Sequence, residues 1–137
     1  MITKVQPDRQ KAESLKAAAE TTLQRLQETD IEKYPSNTLK DYYDVAHMIM
    51  DAIALVDGVK SRGEGAHQEL IDYIANKYSL GEQTRQFLQQ MRDYRNRISY
   101  EGFTINKNYI VLNQEKIKQT IKTLSEKLRN LMVVKPK

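Results

Sequence analysis

Leu39-Lys40-Asp41-Tyr42-Tyr43-Asp44-Val45-Ala46-His47-Met48-Ile49-Met50-Asp51-Ala52-Ile53-Ala54-Leu55-Val56-Asp57-Gly58 is the stretch on which the fold turns. At about 100° per residue, Leu39, Tyr42, Tyr43, Val45, Ala46, Met48, Ile49, Met50, Ile53 and Val56 cover most of a helix's circumference. A helix apolar on nearly every side must be covered by neighbours, so this one is expected at the centre. Pro35-Ser36-Asn37 breaks the chain before it, Ser36 or Asn37 is suited to cap it, and Gly58 supplies a left-handed stop. Asp44, His47 and Asp51 share its one polar strip. Two carboxylates and one imidazole at that spacing read as structural polarity or an ion pair before they read as a metal site, and no metal is assigned.

Four further helices are expected around it. The first runs from Pro7 to near Thr29, with Leu15, Ala18, Ala19, Leu23 and Leu26 as its inward stripe. A short third covers Ala66 to Tyr78, and a fourth Glu82 to Ser99. The fifth runs from Gln114 to Met132 on Ile117, Ile121, Leu124, Leu128 and Leu131. The expected architecture is all-α, a compact bundle of about five helices, as one domain over residues 1–137. Ser61-Arg62-Gly63-Glu64-Gly65 reads as a flexible connector. Glu101 to Asn113 reads as a loop fastened by Phe103 and by Tyr109-Ile110-Val111-Leu112, with dimer contact as the sharper alternative for that run. Val133 to Lys137 reads as a frayed tail.

Composition agrees with helices. Glycine numbers 5 and proline 3 in 137 residues, and long charged side chains dominate the polar faces. With no cysteine there are neither disulfides nor thiolate metal sites, which makes a reducing cytoplasm the natural compartment. The opening Met1-Ile2-Thr3-Lys4-Val5-Gln6-Pro7 carries no signal-like apolar run, and no segment approaches the ~20 apolar residues of a membrane span. The net charge of +4 is unevenly spread: residues 1–34 balance at 0, residues 35–80 at −3 and residues 81–137 at +7. Positive charge in the last third is what phosphate binding needs. Lys116, Lys118, Lys122, Lys127 and Arg129 read first as a solvated helix face. Arg85 and Arg92, about 20° apart on helix four, flank Arg95 and Ser99 and are the better nucleic-acid candidates.

Tyr94-Arg95-Asn96-Arg97-Ile98-Ser99-Tyr100-Glu101-Gly102-Phe103 holds the feature most in need of a reason. Phe87, Leu88, Met91, Tyr94 and Ile98 form an apolar arc, and Arg95 lies within it while Arg97 points away. A guanidinium on a core-facing arc is salt-bridged, reaches a subunit interface, or awaits an anionic ligand, because leaving it buried and unpaired costs several kcal/mol.

Tyr42-Tyr43-Asp44-Val45-Ala46-His47, Gly65-Ala66-His67-Gln68-Glu69-Leu70-Ile71 and Arg95-Asn96-Arg97-Ile98-Ser99-Tyr100 together resemble the HEPN superfamily of small all-helical domains. The hallmark there is an arginine, a polar residue, and a histidine four to six positions past the arginine. The resemblance implies a homodimer whose cleft carries Arg95 and Asn96. It implies RNA as ligand, and a toxin–antitoxin type setting in which a nucleotidyltransferase is the partner. Family ribonucleases use the arginine and histidine of two subunits to cleave RNA through a ribose 2′-hydroxyl. This chain departs from the pattern: Ser99, Tyr100, Glu101 and Gly102 stand where the histidine would. Tyrosine ionises near pH ~10 against ~6.5 for histidine, so Tyr100 is a poor acid or base at neutral pH.

The resemblance therefore implies RNA binding at Arg95 and Asn96 with weak or no cleavage, and the basic edge of helix four adds Arg85, Arg92 and Ser99 to the binding candidates. Two other readings stay open. One is a metal-independent ribonuclease in which Tyr100 or Ser99 replaces histidine, with Arg95, Asn96 and Tyr100 as its catalytic set. The other is a non-catalytic domain that docks a nucleotidyltransferase or binds a nucleotide. His67 opens a helix after glycines, a place for phosphate contact, for a cap, or for plain exposure. No phosphate-binding glycine loop and no Ser-His-Asp or Cys-His constellation is present, and no cofactor is assigned.

Overall fold

A computed structural model describes residues 1–133. Along the chain run β1 (Ile2–Lys4), α1 (Arg9–Gln27), α2 (Pro35–Asp57), β2 (Val59–Ser61), α3 (Ala66–Lys77), α4 (Glu82–Glu101) and α5 (Lys107–Val133). Five helices make a compact all-α bundle, with one small two-stranded ribbon at its edge. Among the described residues, no helix is long and apolar enough to cross a membrane.

α2 is the central helix, packing against all four others. It buries Leu39, Tyr42, Tyr43, Val45, Ala46, Ile49, Met50, Ala52, Ile53 and Ala54 among its residues, which accounts for its all-round apolarity. α1 lies on it through Ala12, Ala19 and Leu26, small or apolar residues seven apart that let the two backbones come close. Leu15 and Leu23 pack beside that seam, but Ala18 is exposed, so the real stripe is turned slightly from the expected one. α5 covers α2 with Ile110, Ile117, Ile121, Leu124 and Leu128.

The helix ends show where sequence reading and structure differ. α1 starts at Arg9 rather than Pro7, because the Asp8 carboxylate accepts from the Lys11 N–H at 2.9 Å and caps it. α2 begins with Pro35 in its first turn and has no side-chain cap; Ser36 Oγ instead accepts from the Ile105 N–H at 3.0 Å, and Asn37 does not cap either. Tyr109-Ile110-Val111-Leu112 is helical, as the first turns of α5, and not a loop. Asn106 Oδ1 accepts from the Tyr109 N–H at 3.3 Å there. Phe103 is the anchor expected of it, tilted against Tyr94 with ring centres 5.8 Å apart and lying under Arg97. Of the expected frayed tail, Val133 ends α5 and residues 134–137 lie outside the described region.

β2 lies just before the expected connector, ends on its first residue, Ser61, and pairs antiparallel with β1, Ile2 facing Ser61 and Lys4 facing Val59. Gly58 makes the pairing geometrically accessible: it ends α2 at φ 77°, and its carbonyl accepts from the Val5 N–H at 2.9 Å. Ser61 Oγ then donates to the Ala66 carbonyl at 2.7 Å, fixing the entry to α3.

Two polar devices hold the periphery. Asp57, almost fully buried at the C-terminal end of α2, accepts from Tyr73 at 3.0 Å and Tyr78 at 2.7 Å and pairs with Lys77 Nζ at 3.1 Å. These contacts offset a carboxylate's unfavourable place at the negative end of a helix dipole. Burial first, and then the bonded Asp57 carboxylate, push the Tyr78 phenol well above its ordinary range. At the other end, Arg9 of α1 donates from Nη1 to the Leu131 carbonyl at 3.4 Å and from Nη2 to that of Met132, supplying the cation that α5's own last turn lacks.

Candidate functional site

Arg95 is salt-bridged. Its Nε lies 3.2 Å from Asp44 Oδ1, so the arginine on the apolar arc of α4 meets the polar strip of α2. Leu88 and Met91 beside it are buried, and the Arg95 side chain is itself mostly covered, with 22% of it exposed. A second pair, Arg25 Nη2 to Asp41 Oδ2 at 2.8 Å, stands on the α1–α2 side. Between the pairs runs a groove of about 330 Å³ lined by Thr22, Arg25, Asp41, Asp44, His47 and Arg95, with Met48 as its apolar floor. A larger hollow of about 420 Å³ lies elsewhere, among Leu23, Leu26, Ile31, Tyr42 and Lys118. Gln27, Thr29 and Gln114 also line it, but Lys118 is its one charged group, so the groove with its two salt bridges and His47 is the better candidate.

The two histidines, twenty residues apart in sequence, meet beside this groove. Their rings stack with centres 4.0 Å apart and planes 17° from parallel. His47 Nδ1 lies 3.5 Å from Asp51 Oδ2, and Tyr43 packs on the same imidazole with ring centres 6.1 Å apart. Tyr43 is buried, and its phenol is pushed far above its ordinary range by desolvation, against the lowering influence of Arg92 and Arg95. Desolvation, then the neighbouring His47, then the two arginines hold the His67 imidazole below its ordinary value, with Asp51 acting the other way. The polar strip thus has its partners: Asp44 is salt-bridged to Arg95, and Asp51 lies beside the His47 imidazole.

This environment sets a sign for stability. A histidine whose folded value is depressed binds fewer protons in the folded than in the unfolded chain, so stability is fully present above the unfolded value near ~6.5 and declines as pH falls below it. His67→Gln removes that contribution. Urea midpoints measured from pH 8 to pH 5 should fall less steeply for His67→Gln than for the wild type; parallel curves would count against it.

The remaining sequence candidates scatter. Arg85 does not join Arg95: its guanidinium contacts both Glu82 carboxylate oxygens, Nε at 2.7 Å, and its Nη1 is 3.0 Å from Asp72. Arg85 holds the Glu82 carboxyl down at about 2. Ten residues of helix also set it about 15 Å from Arg95 along the axis. Arg92 remains near the site, its Nε donating to Gln89 Oε1 at 2.8 Å, and it has no carboxylate partner among the described residues. Asn96 is half-buried and Ser99 exposed on α4. Tyr100 is 79% exposed, and α4 runs unbroken to Glu101, which turns Tyr100 about 140° around the axis from Arg95. Within one chain Tyr100 and Arg95 do not share a site. Lys116, among the late lysines, sits 4.4 Å over the Phe87 ring.

Comparison with protein-family models, with curated proteins and with solved structures gives no match.

Proposed function

We propose that this chain is a HEPN-like, RNA-associated domain that binds RNA at the Arg95 groove and cleaves it weakly or not at all. One observation carries the reading. Arg95 spends a single N–H on Asp44 and borders an open groove, which leaves its other guanidinium donors for a phosphate. Arg92, without a carboxylate partner among the described residues, adds a second cation on the same helix. Weak or absent cleavage follows from Tyr100: it is turned away from Arg95 and is chemically mismatched to neutral pH, and the Ser99 hydroxyl is no better an acid or base. Purified protein incubated with RNA should therefore leave it intact or nearly so, equally for wild type and Tyr100→Phe. Robust cleavage lost in both Arg95→Ala and Tyr100→Phe would overturn the reading and make Tyr100 a working replacement for histidine.

The same reading includes a two-fold homodimer, and a nucleotidyltransferase as partner in a toxin–antitoxin type system. Exposed apolar side chains support an interaction surface: Tyr100 near the end of α4, and Val111 and Leu112 in the second turn of α5, are 79%, 55% and 82% exposed. They equally favour the non-catalytic docking reading. Light scattering at micromolar concentration should give twice the chain mass of 16.0 kDa, and a monomeric mass would remove the dimer from the reading.

A further inference from the structure

The geometry points to a proton-gated phosphate receptor in which the stacked imidazoles of His47 and His67 act with Arg92 and Arg95 on the phosphodiesters of single-stranded RNA. It rests on the RNA reading for the source of the ligand, not for its chemistry.

The site's formal charges explain why a proton would decide the matter. Arg92 and Arg95 bring two positive charges from α4, and Asp44 and Asp51 two negative ones from α2; Arg25 of α1 faces the groove already paired with Asp41. With both imidazoles neutral the cluster has no net charge, and a phosphodiester gains little by entering. One imidazolium changes the balance to a net positive charge beside two guanidinia that still have free donors. Stacking at 4.0 Å makes the pair resist a second proton, because two imidazolium rings in van der Waals contact repel. Desolvation first, and then the charge crowding by His47, Arg95 and Arg92, disfavour the charged form of His67. A bound anion reverses it.

The scaffold holds the rings in place from both sides. His47 is set by α2, packed on Tyr43 and next to Asp51. His67 stands in the first turn of α3, whose entry is fixed by the Ser61–Ala66 hydrogen bond and by Gly63 and Gly65 at φ 84° and 75°. The outer ring remains exposed to solvent. Imidazole and guanidinium planes of this kind suit an unstacked RNA strand, whose phosphates take the charge while its bases find flat surfaces.

The test uses hexauridylate without a terminal phosphate, whose diesters do not titrate between pH 5 and pH 8, and dimethyl phosphate as a non-RNA diester. Binding of hexauridylate to the wild type, at constant salt, should strengthen from pH 8 to pH 5.5, by tenfold for each unit that binding raises the imidazole value. His67→Gln and, separately, His47→Gln should flatten that dependence. In the wild type, dimethyl phosphate should raise the titration midpoint of a histidine ring resonance followed by NMR, a readout that needs no variant to fold. RNA binding that is independent of pH, or whose pH dependence survives in a folded His67→Gln, overturns the receptor and leaves the RNA reading standing. A histidine midpoint raised by dimethyl phosphate with no hexauridylate binding at any pH does the reverse.

Discussion

Asp57→Ala should lower the unfolding free energy by about 3 kcal/mol and the melting temperature by roughly 10 °C. The carboxylate is almost fully buried and is the shared acceptor of Tyr73, Tyr78 and Lys77, so its loss strips three donors of their partner at once. Lys77 and Tyr73 can turn partly to water, which keeps the cost below that of a fully enclosed ion pair. Asp57→Asn retains an acceptor of the same shape and should cost about half as much. Chemical unfolding in urea measures both. A loss within the ~0.5 kcal/mol typical of a surface substitution would mean that the α2–α3 junction is held by packing alone.

Arg92→Gln combined with Arg95→Gln should weaken RNA binding about a hundredfold at low salt and reduce the log–log salt slope by somewhat under two units. Replacing Lys116 and Lys118 should cost less, because those side chains lie on the exposed face of α5, away from the groove. Arg85→Gln should change little: Glu82 and Asp72 already neutralise it, and its removal frees two carboxylates rather than a phosphate site. A titration of single-stranded RNA at four or five salt concentrations separates these cases. Equal slopes for wild type and the double variant would place the RNA elsewhere on the surface.

Periodicity made the bundle legible. α2's near-uniform apolarity announces a helix enclosed by others, and Gly58 announces its end; both are local properties of the chain. The start of α5 was hidden because Tyr109-Ile110-Val111 is rich in aromatic and β-branched residues, although Ile110, Ile117, Leu124 and Leu131 at intervals of seven carry the helical register through it. The ribbon escaped for a different reason. Strands of three residues show no alternation worth reading, and their pairing depends on a turn of chain at Gly58 that brings Val5 back to α2.

For the site, sequence identified Arg95 as a charge needing an answer and Asp44 as a charge on an otherwise apolar helix. It did not join them, since 51 residues separate the two and only the α2–α4 crossing brings them together. The His47–His67 stack is further from sequence still. Each residue alone is an ordinary polar position, and the property that matters belongs to the distance between two rings on different helices. Arg85 shows the converse: helical spacing gives its side of α4 but not its partners, the acids on α3 and on its own first turn.

Arg9's grip on the last turn of α5 bears on the order in which the molecule assembles. The contact spans 122 residues, and the β1–β2 pairing spans more than fifty, so the beginning of the chain is tied to parts made much later. On a ribosome, α1 can form early and can meet α2 once residue 57 has emerged. β1 must wait a little longer for Val59–Ser61, and Arg9 until the end of α5 is free. The long closure costs entropy that rises only slowly with length, and it is met last, after the α1–α2–α5 core has already brought the two ends together. Its effect is then on persistence rather than speed. Once made, it couples the fraying of α5's final turn to the release of α1, so that neither end opens independently of the other.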